Sequence, residues 1–404
     1  MKYKFENGLT FIYKRRPGNL TSFCIGFNAG ALVEDNNSLG LAHAVEHMIF
    51  KGTKTRNEFE INKLCDETFG FHNAMTNFPY AIYYGTTLSN DFEKGFDIYA
   101  DILLNPTFPE DGFKEEMNII LEELKEWKDD IYQHCEDELL FNAFKERRIK
   151  NLIIGTEESV NSITLNNIKD FYNEFYAPKN CVITVVSSLS YEDILTVINK
   201  YFGSWEREFS FDNTADYEDN KVGEYTEVKS DIQGAKIQYC FPIHSLSTAE
   251  IKALNLFNLS FGEGTSSILY DEIRTKNGFA YEIFSSIKNE NGIKLFNIVL
   301  GTSKENIDRA ISLINSKIEE VKNNTGFFNA DKISSLAKSF RLKRELRNER
   351  SIELTKMITT YEIMYGDYDL MKEELTDLEN ITEEDILRVI NKVLVDPSIQ
   401  VIRP

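Results

Sequence analysis

The chain has 404 residues, a formal net charge of −20, 42% hydrophobic and 27% charged residues. This length indicates two domains, and the apolar content is sufficient for sizeable cores, which argues against a disordered chain. The acidic balance speaks against nucleic-acid binding, since phosphate contacts need clustered Lys and Arg. It predicts either a preference for basic partners or a role in solubility alone.

The cysteine pattern and the absence of long apolar runs predict a cellular compartment. The chain has five cysteines, widely spaced and without a CxxC pair, as expected for free thiols in a reducing compartment. The N-terminal stretch lacks the apolar segment of a signal peptide, and no apolar run approaches the roughly 20 residues of a membrane span. We therefore expect a cytoplasmic protein that does not contact a membrane.

The first part of the chain alternates between strand-like and helical patterns. A hairpin around Asn7-Gly8 and a third strand come first. A strand rich in Thr, Tyr and Ile is expected at 74–88, with a proline at residue 79. The predicted helices, in chain order, are 41–50, 58–68, 92–104 and 109–128, the last with Pro109 at its start.

The second part begins after a polar, acidic stretch. Residues 209–225, FSFDNTADYEDNKVGEY, have little apolar periodicity and are predicted to be an interdomain linker. After it the pattern restarts with a strand, AKIQYCF, and a helix, EIKALNLFNLSFG. The predicted domains are therefore 1–208 and 226–404.

A faint internal repeat indicates that the two domains are similar. The segments that begin at Ile163 and Ile381 each read as a capped helix, a proline and a buried strand. A rival match, EDILTVINK at Glu192 against EDILRVINK at Glu384, has more identities but ends with the helix. We favour the first match because it crosses from helix to strand. The expected fold class is α+β, with two homologous α/β sandwich domains.

The stretch GLAHAVEHMIFKGT, residues 40–53, contains two of the five histidines of the chain. His43 and His47 are four residues apart, so on a helix both project from one face, where two neutral imidazoles can bind one Zn²⁺. Glu46 lies on the same face and is suited to accept a proton from metal-bound water. The order H-x-x-E-H is that of an inverted zincin motif. The alternative is a core helix with hydrogen-bonded histidines.

A third zinc ligand is needed, and the helix GFKEEMNIILEELKEWKDD offers candidates. Glu116 and Glu123 are seven residues apart and share one helix face, while Glu122 points elsewhere. The alternative is a solvated acidic face, and helical spacing does not decide between the two.

These residues resemble the pitrilysin and insulinase class of metallopeptidases, in particular its short-chain branch with bacterial processing proteases and the mitochondrial processing peptidase. The resemblance extends over nearly the whole chain and is tightest at 40–124, through HAVEH, FKGT, NAMT, LLNPTF and IILEEL. It continues through GTEESV and SILYDEIRTKNGFAYEIFSS. It implies a mainly antiparallel sheet with helices in each domain, the two domains facing each other as a clam.

The resemblance also implies roles for individual residues. Zinc, one ion per chain, would be held by His43, His47 and Glu123, the last lying 76 positions beyond the second histidine. Glu46 would be the catalytic base, and Glu116 would support the site from behind the ligands.

Two further segments take their roles from the resemblance. Asn73, Ala74, Met75 and Thr76 would form an edge strand that binds the substrate peptide through main-chain hydrogen bonds. Tyr281 would stabilise the oxyanion and Arg274 would hold the substrate backbone. The alternatives are an ordinary turn into a strand at 73–76, and a buried tyrosine with a helix-end arginine at 274–281.

The sequence thus predicts a zinc-dependent endopeptidase that cleaves peptides or unfolded segments in a closed chamber, with a preference for basic peptides. Short-chain relatives work in pairs, so a homodimer or a heterodimer with a homologous subunit is expected. The alternative is a non-catalytic subunit that binds peptides or scaffolds a complex. A protease that matures one particular peptide would differ in its substrate alone, and the sequence specifies neither substrate nor cleavage rule.

Overall fold

The computed structural model describes residues 1–210 and 215–404. The strands are β1 (Lys2–Lys4), β2 (Thr10–Arg15), β3 (Leu20–Phe27), β4 (Phe69–Thr76), β5 (Ala81–Leu88), β6 (Cys181–Ser187), β7 (Gly223–Val228), β8 (Ala235–Pro242), β9 (Glu282–Lys288), β10 (Leu295–Thr302) and β11 (Ser398–Arg403). The helices are α1 (Leu41–Ile49), α2 (Glu58–Thr68), α3 (Phe92–Leu104), α4 (Phe113–Asp129), α5 (Ile131–Ala143), α6 (Glu157–Ser162), α7 (Leu165–Phe175), α8 (Tyr191–Phe202), α9 (Thr248–Phe261), α10 (Ile307–Asn323), α11 (Ala330–Asn348), α12 (Ser351–Tyr365), α13 (Leu370–Glu373) and α14 (Glu383–Val393).

These elements form two compact units that are interleaved in sequence. The first unit consists of Met1–Glu126, Leu152–Ala215 and Leu346–Met371. The second consists of Trp127–Asn151, Asp216–Glu345 and Lys372–Pro404. Each unit has its own sheet and its own apolar core.

The sheet of the first unit has the strand order β1-β2-β6-β3-β5-β4, with a parallel pair at β2–β6 and antiparallel pairs elsewhere. β6 reads CVITVVS and is buried along its whole length, as expected for a central strand covered on both faces. Side chains of α1, α3 and α4 contribute to the main core on one face. The site described below is built on this side.

Helix α12 covers the other face of this sheet. The Thr359 hydroxyl donates to Oγ1 of Thr184 on β6 at 2.8 Å. A Cβ atom at Gly26 would lie 2.7 Å from Cγ2 of Thr359, so glycine allows the helix to approach β3 closely. Although α12 comes late in the chain, its packing therefore belongs to the first unit.

The second unit repeats this topology with five strands in place of six, and β7 corresponds to β2. Its sheet has the order β7-β11-β8-β10-β9, with a parallel pair at β7–β11 and antiparallel pairs elsewhere. Helix α5 packs on β8 and β11, where the Asn142 amide donates to Oε1 of Gln400 at 2.9 Å. Helices α9, α10 and α14 contribute to the core.

The repeated topology confirms the predicted fold of two similar α/β sandwich domains. β6 and β11 each pair in parallel with one neighbour and antiparallel with the other. They follow α7 and α14, whose N-cap residues Thr164 and Thr382 both form capping boxes. The favoured repeat thus matches equivalent elements, since α7 and α14 each precede the corresponding strand. The rival match does not, because it aligns α8, which follows β6, with α14, which precedes β11.

Several predicted boundaries differ from the structure. The strand expected at 74–88 is the hairpin β4–β5, turned where Asn77 N–H donates to Tyr80 O, and Pro79 lies in that turn. Helix α4 begins at Phe113 and not at Pro109, because Gly112 adopts a φ of 82° just before it.

The predicted linker and domain boundaries also need comment. Residues 211–214 of the linker lie outside the described residues, and its last residues, 223–225, are wrong as linker because they pair with β11 as part of β7. The ranges 1–208 and 226–404 stay a prediction. The compact units differ from them because α5 and α12 bury their apolar sides on the sheets described above.

Within the described ranges, no helix is both long enough and apolar enough to span a membrane.

Candidate metal centre and active site

Helix α1 carries the two motif histidines, and a buried carboxylate marks its first turn. Its N-cap residue is Gly40, which has no side chain to cap the helix. Glu34 replaces that cap: its carboxylate accepts hydrogen bonds from the backbone N–H of Gly40 at 3.2 Å and of Ala42 at 2.7 Å. A carboxylate at this position also interacts favourably with the helix dipole. The start of the motif helix is therefore held from a neighbouring loop.

The backbone around position 40 requires a glycine there. Its φ is 86°, and a Cβ atom there would lie 2.5 Å from the carbonyl oxygen of Ile154. Gly155 approaches the opposite backbone in a similar way, since a Cβ atom there would lie 2.7 Å from Leu39 O. The GLAH and GT motifs thus pack backbone to backbone, which fixes the entry of α1.

Three side chains of the first unit bring their donor atoms together. His43 Nε2 lies 3.3 Å from His47 Nε2, and Glu123 Oε2 lies 3.8 Å from the first and 3.4 Å from the second. Ligands at about 2.0–2.1 Å around a tetrahedral Zn²⁺ are about 3.3–3.4 Å apart. The donor set of two imidazoles and one carboxylate, with this spacing, fits a zinc ion.

The protonation of His43 suits a ligand. Burial, followed by the nearby His47, lowers the pKa of His43 to about 3, so its ring is neutral at ordinary pH. A neutral imidazole has the free lone pair that a metal requires.

Behind His47 lies a chain of charged hydrogen bonds. Its Nδ1 is 2.8 Å from Oε1 of Glu116, whose Oε2 is 2.8 Å from Nζ of Lys51; Lys51 also bonds Oε1 of Glu58 at 2.8 Å. Burial would raise the pKa of Glu116, but the bonds to His47 and Lys51 outweigh it and lower that pKa. For His47, burial acts to lower the pKa, but Glu116 and the other nearby carboxylates outweigh burial and the pKa is raised overall. Glu116 thus orients the His47 ring with Nε2 toward the other donors.

Glu46 lies beside the donor set and is held by β4. Its Oε2 accepts a hydrogen bond from the Thr76 hydroxyl at 2.6 Å. Burial raises the pKa of Glu46, although the Thr76 bond and His47 oppose this shift. A carboxylate with a raised pKa, one helix position from a candidate metal ligand, has the environment that a general base needs.

A cavity of about 460 Å³ opens over these residues. Its walls include the donor residues, Glu46 and, from β4, His72, Asn73 and Ala74. β4 is the outermost strand of the sheet order and is paired with β5. The segment Asn73–Thr76 thus lies at a sheet edge beside the cavity, and Thr76 additionally holds Glu46.

Arg274 and Tyr281 belong to the second unit. Arg274 lies in a π-helical segment, Tyr270–Lys276, and donates to the Tyr270 hydroxyl. Tyr281 precedes β9, and its backbone N–H donates to Gly301 O at 3.1 Å. The side chain is 52% exposed, so the alternative of a buried tyrosine is wrong. The roles of both residues stay a prediction.

Sequence reasoning missed two residues that position the site, Lys51 and Glu34. Lys51 lies in the FKGT motif, which carried the resemblance without a role of its own. Glu34 had one available signal: a helix that begins at glycine needs its cap from elsewhere.

Comparison with known proteins identifies the family. Residues 11–157 match the family model described as Insulinase (Peptidase family M16), and residues 162–335 match the one described as Peptidase M16 inactive domain. Together the two matches span most of the chain, which belongs to the insulinase family of peptidases. This confirms the resemblance to the pitrilysin and insulinase class.

Similar chains occur in several bacteria. The chain is 25% identical over 395 residues to an uncharacterized zinc protease of Rickettsia bellii, covering 96% of this chain and 94% of that protein. It is 26% identical over 326 residues to the uncharacterized zinc protease YmxG of Bacillus subtilis, covering 80% of this chain and 78% of that protein.

Solved structures share the fold. A protease from Helicobacter pylori superposes with a TM-score of 0.91 at 20% identity, covering 100% of this chain and 99% of that one. A peptidase M16 inactive domain from Pseudomonas fluorescens gives 0.88 at 18% identity, covering 100% and 97%. At these identities the likeness shows the fold alone.

Proposed function

We propose that this protein is a zinc-dependent endopeptidase that cleaves peptides or unfolded protein segments. The observation that carries the proposal is the donor set of His43, His47 and Glu123, with ligand atoms 3.3–3.8 Å apart and Glu46 adjacent. Two imidazoles, one carboxylate and an open cavity are the features of a catalytic zinc site. The names of the relatives from Rickettsia bellii and Bacillus subtilis, both zinc proteases, support it.

The mechanism assigns each step to residues of the first unit. His43 Nε2, His47 Nε2 and Glu123 Oε2 would hold the ion. When bound, zinc supplies Lewis acidity, which activates water and polarises a carbonyl group. Glu46 accepts the proton of the attacking water and passes it to the leaving amine. Thr76 keeps the Glu46 carboxylate in place during both transfers.

Peptide binding is assigned to the edge of β4. The backbone groups of Asn73, Ala74, Met75 and Thr76 would pair with an extended peptide as an added strand. Asn73 and Ala74 line the cavity, so a peptide on this edge would pass close to Glu46. Main-chain pairing provides affinity with little dependence on sequence, which suits a peptidase of broad specificity.

Other parts of the proposal rest on the resemblance. Tyr281 is assigned to the oxyanion and Arg274 to the substrate backbone. Cleavage in a closed chamber and pairing with a second subunit, identical or homologous, belong to the same group of expectations. The preference for basic peptides rests on the net charge of −20. It fails if cleavage rates at low salt are independent of substrate charge.

The decisive experiment combines zinc content with peptide cleavage. The wild-type protein should hold one zinc ion at His43, His47 and Glu123 and cleave members of a peptide library detected by mass spectrometry. Glu46→Gln should retain zinc and lose at least about 100-fold in rate, since proton transfer contributes about 10²–10⁴-fold. Glu123→Gln should lose the zinc ion of this site, while Glu122→Gln, at an exposed neighbouring position, should behave as wild type.

A second candidate is a non-catalytic peptide-binding or scaffolding subunit. The observation in its favour is the match of residues 162–335 to an inactive-domain model. The proposed zinc and base residues, however, lie within residues 11–157, which match the other model. A purified protein that holds no zinc at His43, His47 and Glu123, and whose background cleavage is unchanged by Glu46→Gln, would refute the peptidase and favour this alternative.

A further inference from the structure

A second group of metal-binding side chains lies in the second unit. His134 and Glu138 are one turn apart on α5, and Glu227 lies on β7. One potential ligand atom of each lies within 4.8 Å of the other two. His134 Nε2 is 2.9 Å from Oε2 of Glu227. We call these three residues the α5–β7 cluster.

The charges of the α5–β7 cluster are poorly balanced. The His134 and Glu227 side chains are 16% and 38% exposed, and each contacts the other. No hydrogen bond or ion pair from the described residues reaches the Glu138 carboxylate, which is half-buried and next to Glu227. Burial and the charge of Glu227 raise the pKa of Glu138, whereas His134 and Lys128 oppose this. The cluster therefore holds two carboxylates against one imidazole.

We propose that the α5–β7 cluster binds a divalent transition-metal ion such as Zn²⁺. The ligands are Nε2 of His134 and one carboxylate oxygen each of Glu138 and Glu227. A dication bound there would take the place of the contact between His134 and Glu227 and would balance the charge of both carboxylates. One nitrogen and two oxygen donors suit zinc or cobalt, and Ca²⁺ and Mg²⁺ would be disfavoured by the imidazole.

The position of the α5–β7 cluster gives the ion a structural consequence. β7 is the outermost strand of its sheet and pairs with β11, whereas α5 packs on β8 and β11. A metal held by both α5 and β7 would fasten the outer strand to the helix above the sheet. Because the ion binds the folded state, it would also stabilise the second unit by mass action.

The test counts bound metal with Co²⁺ and Zn²⁺ as probes in equilibrium dialysis. The wild-type chain should bind two ions, and Glu138→Gln, which keeps the shape of the side chain, should bind one. His43→Ala/His47→Ala, which removes donors of the first unit, should bind one ion, and its combination with Glu138→Gln none. His134→Ala should weaken the binding of the second ion at least tenfold.

His244→Ala is the matched control, since His244 Nε2 has a carboxylate oxygen of Asp219 at 3.8 Å and belongs to no three-donor group among the residues that the structure describes. It should leave the second ion in place. The proposal is overturned if His43→Ala/His47→Ala binds no metal, or if its bound metal is insensitive to both His134→Ala and Glu138→Gln. Neither result depends on whether the first unit has peptidase activity.

Hydrogen exchange measures the fastening directly. Added Zn²⁺ should slow exchange at residues 223–228 severalfold in the wild-type protein and have no effect in Glu138→Gln. Equal exchange of these residues with and without zinc in both proteins would refute the link between α5 and β7.

Discussion

Nζ of Lys51 lies 2.8 Å from Oε2 of Glu116, and Oε1 of the same carboxylate lies 2.8 Å from Nδ1 of His47. Lys51 thereby helps to hold the pKa of Glu116 below its usual range. An ionised Glu116 accepts a hydrogen bond from Nδ1–H of His47, so that Nε2 keeps its lone pair free for a metal ion. The lysine therefore acts on the proposed zinc site through Glu116.

Replacing Lys51 should weaken zinc binding. In Lys51→Met the Glu116 carboxylate loses its cation, and its hold on the His47 ring loosens. Loss of such supporting contacts typically lowers metal affinity 10–100-fold, and we expect a decrease in this range in competition with a chromogenic chelator. Lys54→Met, an exposed lysine in the same loop, is the control. Equal zinc affinities for the two variants would show that Lys51 has no positioning role.

Gly40→Ala should destabilise the first unit and impair its zinc site. The new Cβ would lie 2.5 Å from Ile154 O at a residue with a φ of 86°. Backbone strain and a backbone clash together predict a loss of about 3 kcal/mol or more in the free energy of unfolding, measured with urea. Gly264→Ala has a similar φ of 98° in open surroundings, so it should show the strain component alone, about 1–2 kcal/mol. A Gly40→Ala loss no larger than that of Gly264→Ala would contradict the close approach.

Short-range patterns predicted much of the fold. The helix at 92–104 agrees with α3, and the repeat joined α7–β6 to α14–β11, because capping and periodicity are local properties. The packing of α12 on the first sheet was not predictable, since Gly26 and Thr359 are far apart in sequence and meet through a steric fit. Packing of that kind leaves no periodic signal.

The candidate site was also predictable only in part from the sequence. His43, Glu46 and His47 share one helix, so their common face follows from helical spacing. Glu123 required the resemblance, because nothing in the spacing of two helices states how they meet. Lys51 and Glu34 act through hydrogen bonds to groups on other elements or loops, and sequence patterns do not encode such contacts.

Tyr281→Phe tests the role assigned to the second unit. If the phenol stabilises the oxyanion, its removal should lower kcat about 10²–10³-fold with little change in zinc content. Tyr270→Phe removes a hydroxyl that contacts Arg274 and is the matched control, with an expected change below tenfold. Equal kcat values for Tyr281→Phe and wild type would remove Tyr281 from the mechanism without affecting the zinc site.

Asp101 should make the stability of the first unit dependent on pH. Its Oδ2 accepts hydrogen bonds from Thr53 at 2.7 Å, Thr55 at 2.9 Å and Arg56 at 2.6 Å. Burial would raise the pKa of Asp101, but these bonds outweigh it and the pKa is lowered. A lowered pKa contributes stability above the ordinary value of about 3.9, and this contribution is lost as the pH falls through the lowered pKa.

Asp101→Asn should therefore cost about 2–4 kcal/mol in the free energy of unfolding at pH 7, since it leaves Arg56 with a weaker partner. The difference from wild type should shrink as the pH falls below about 4, because Asp101 in the unfolded wild-type chain takes up its proton there while the folded carboxylate, with its lowered pKa, is still ionised. Asp97→Asn is the control, because Asp97 also pairs with Arg56, at 2.5 Å, but its side chain is 35% exposed against 10% for Asp101. It should cost less than about 1 kcal/mol. Urea unfolding of the three proteins at pH 7 and pH 3 measures both effects. If Asp101→Asn and wild type differ by the same free energy of unfolding at both pH values, Asp101 does not carry the pH dependence.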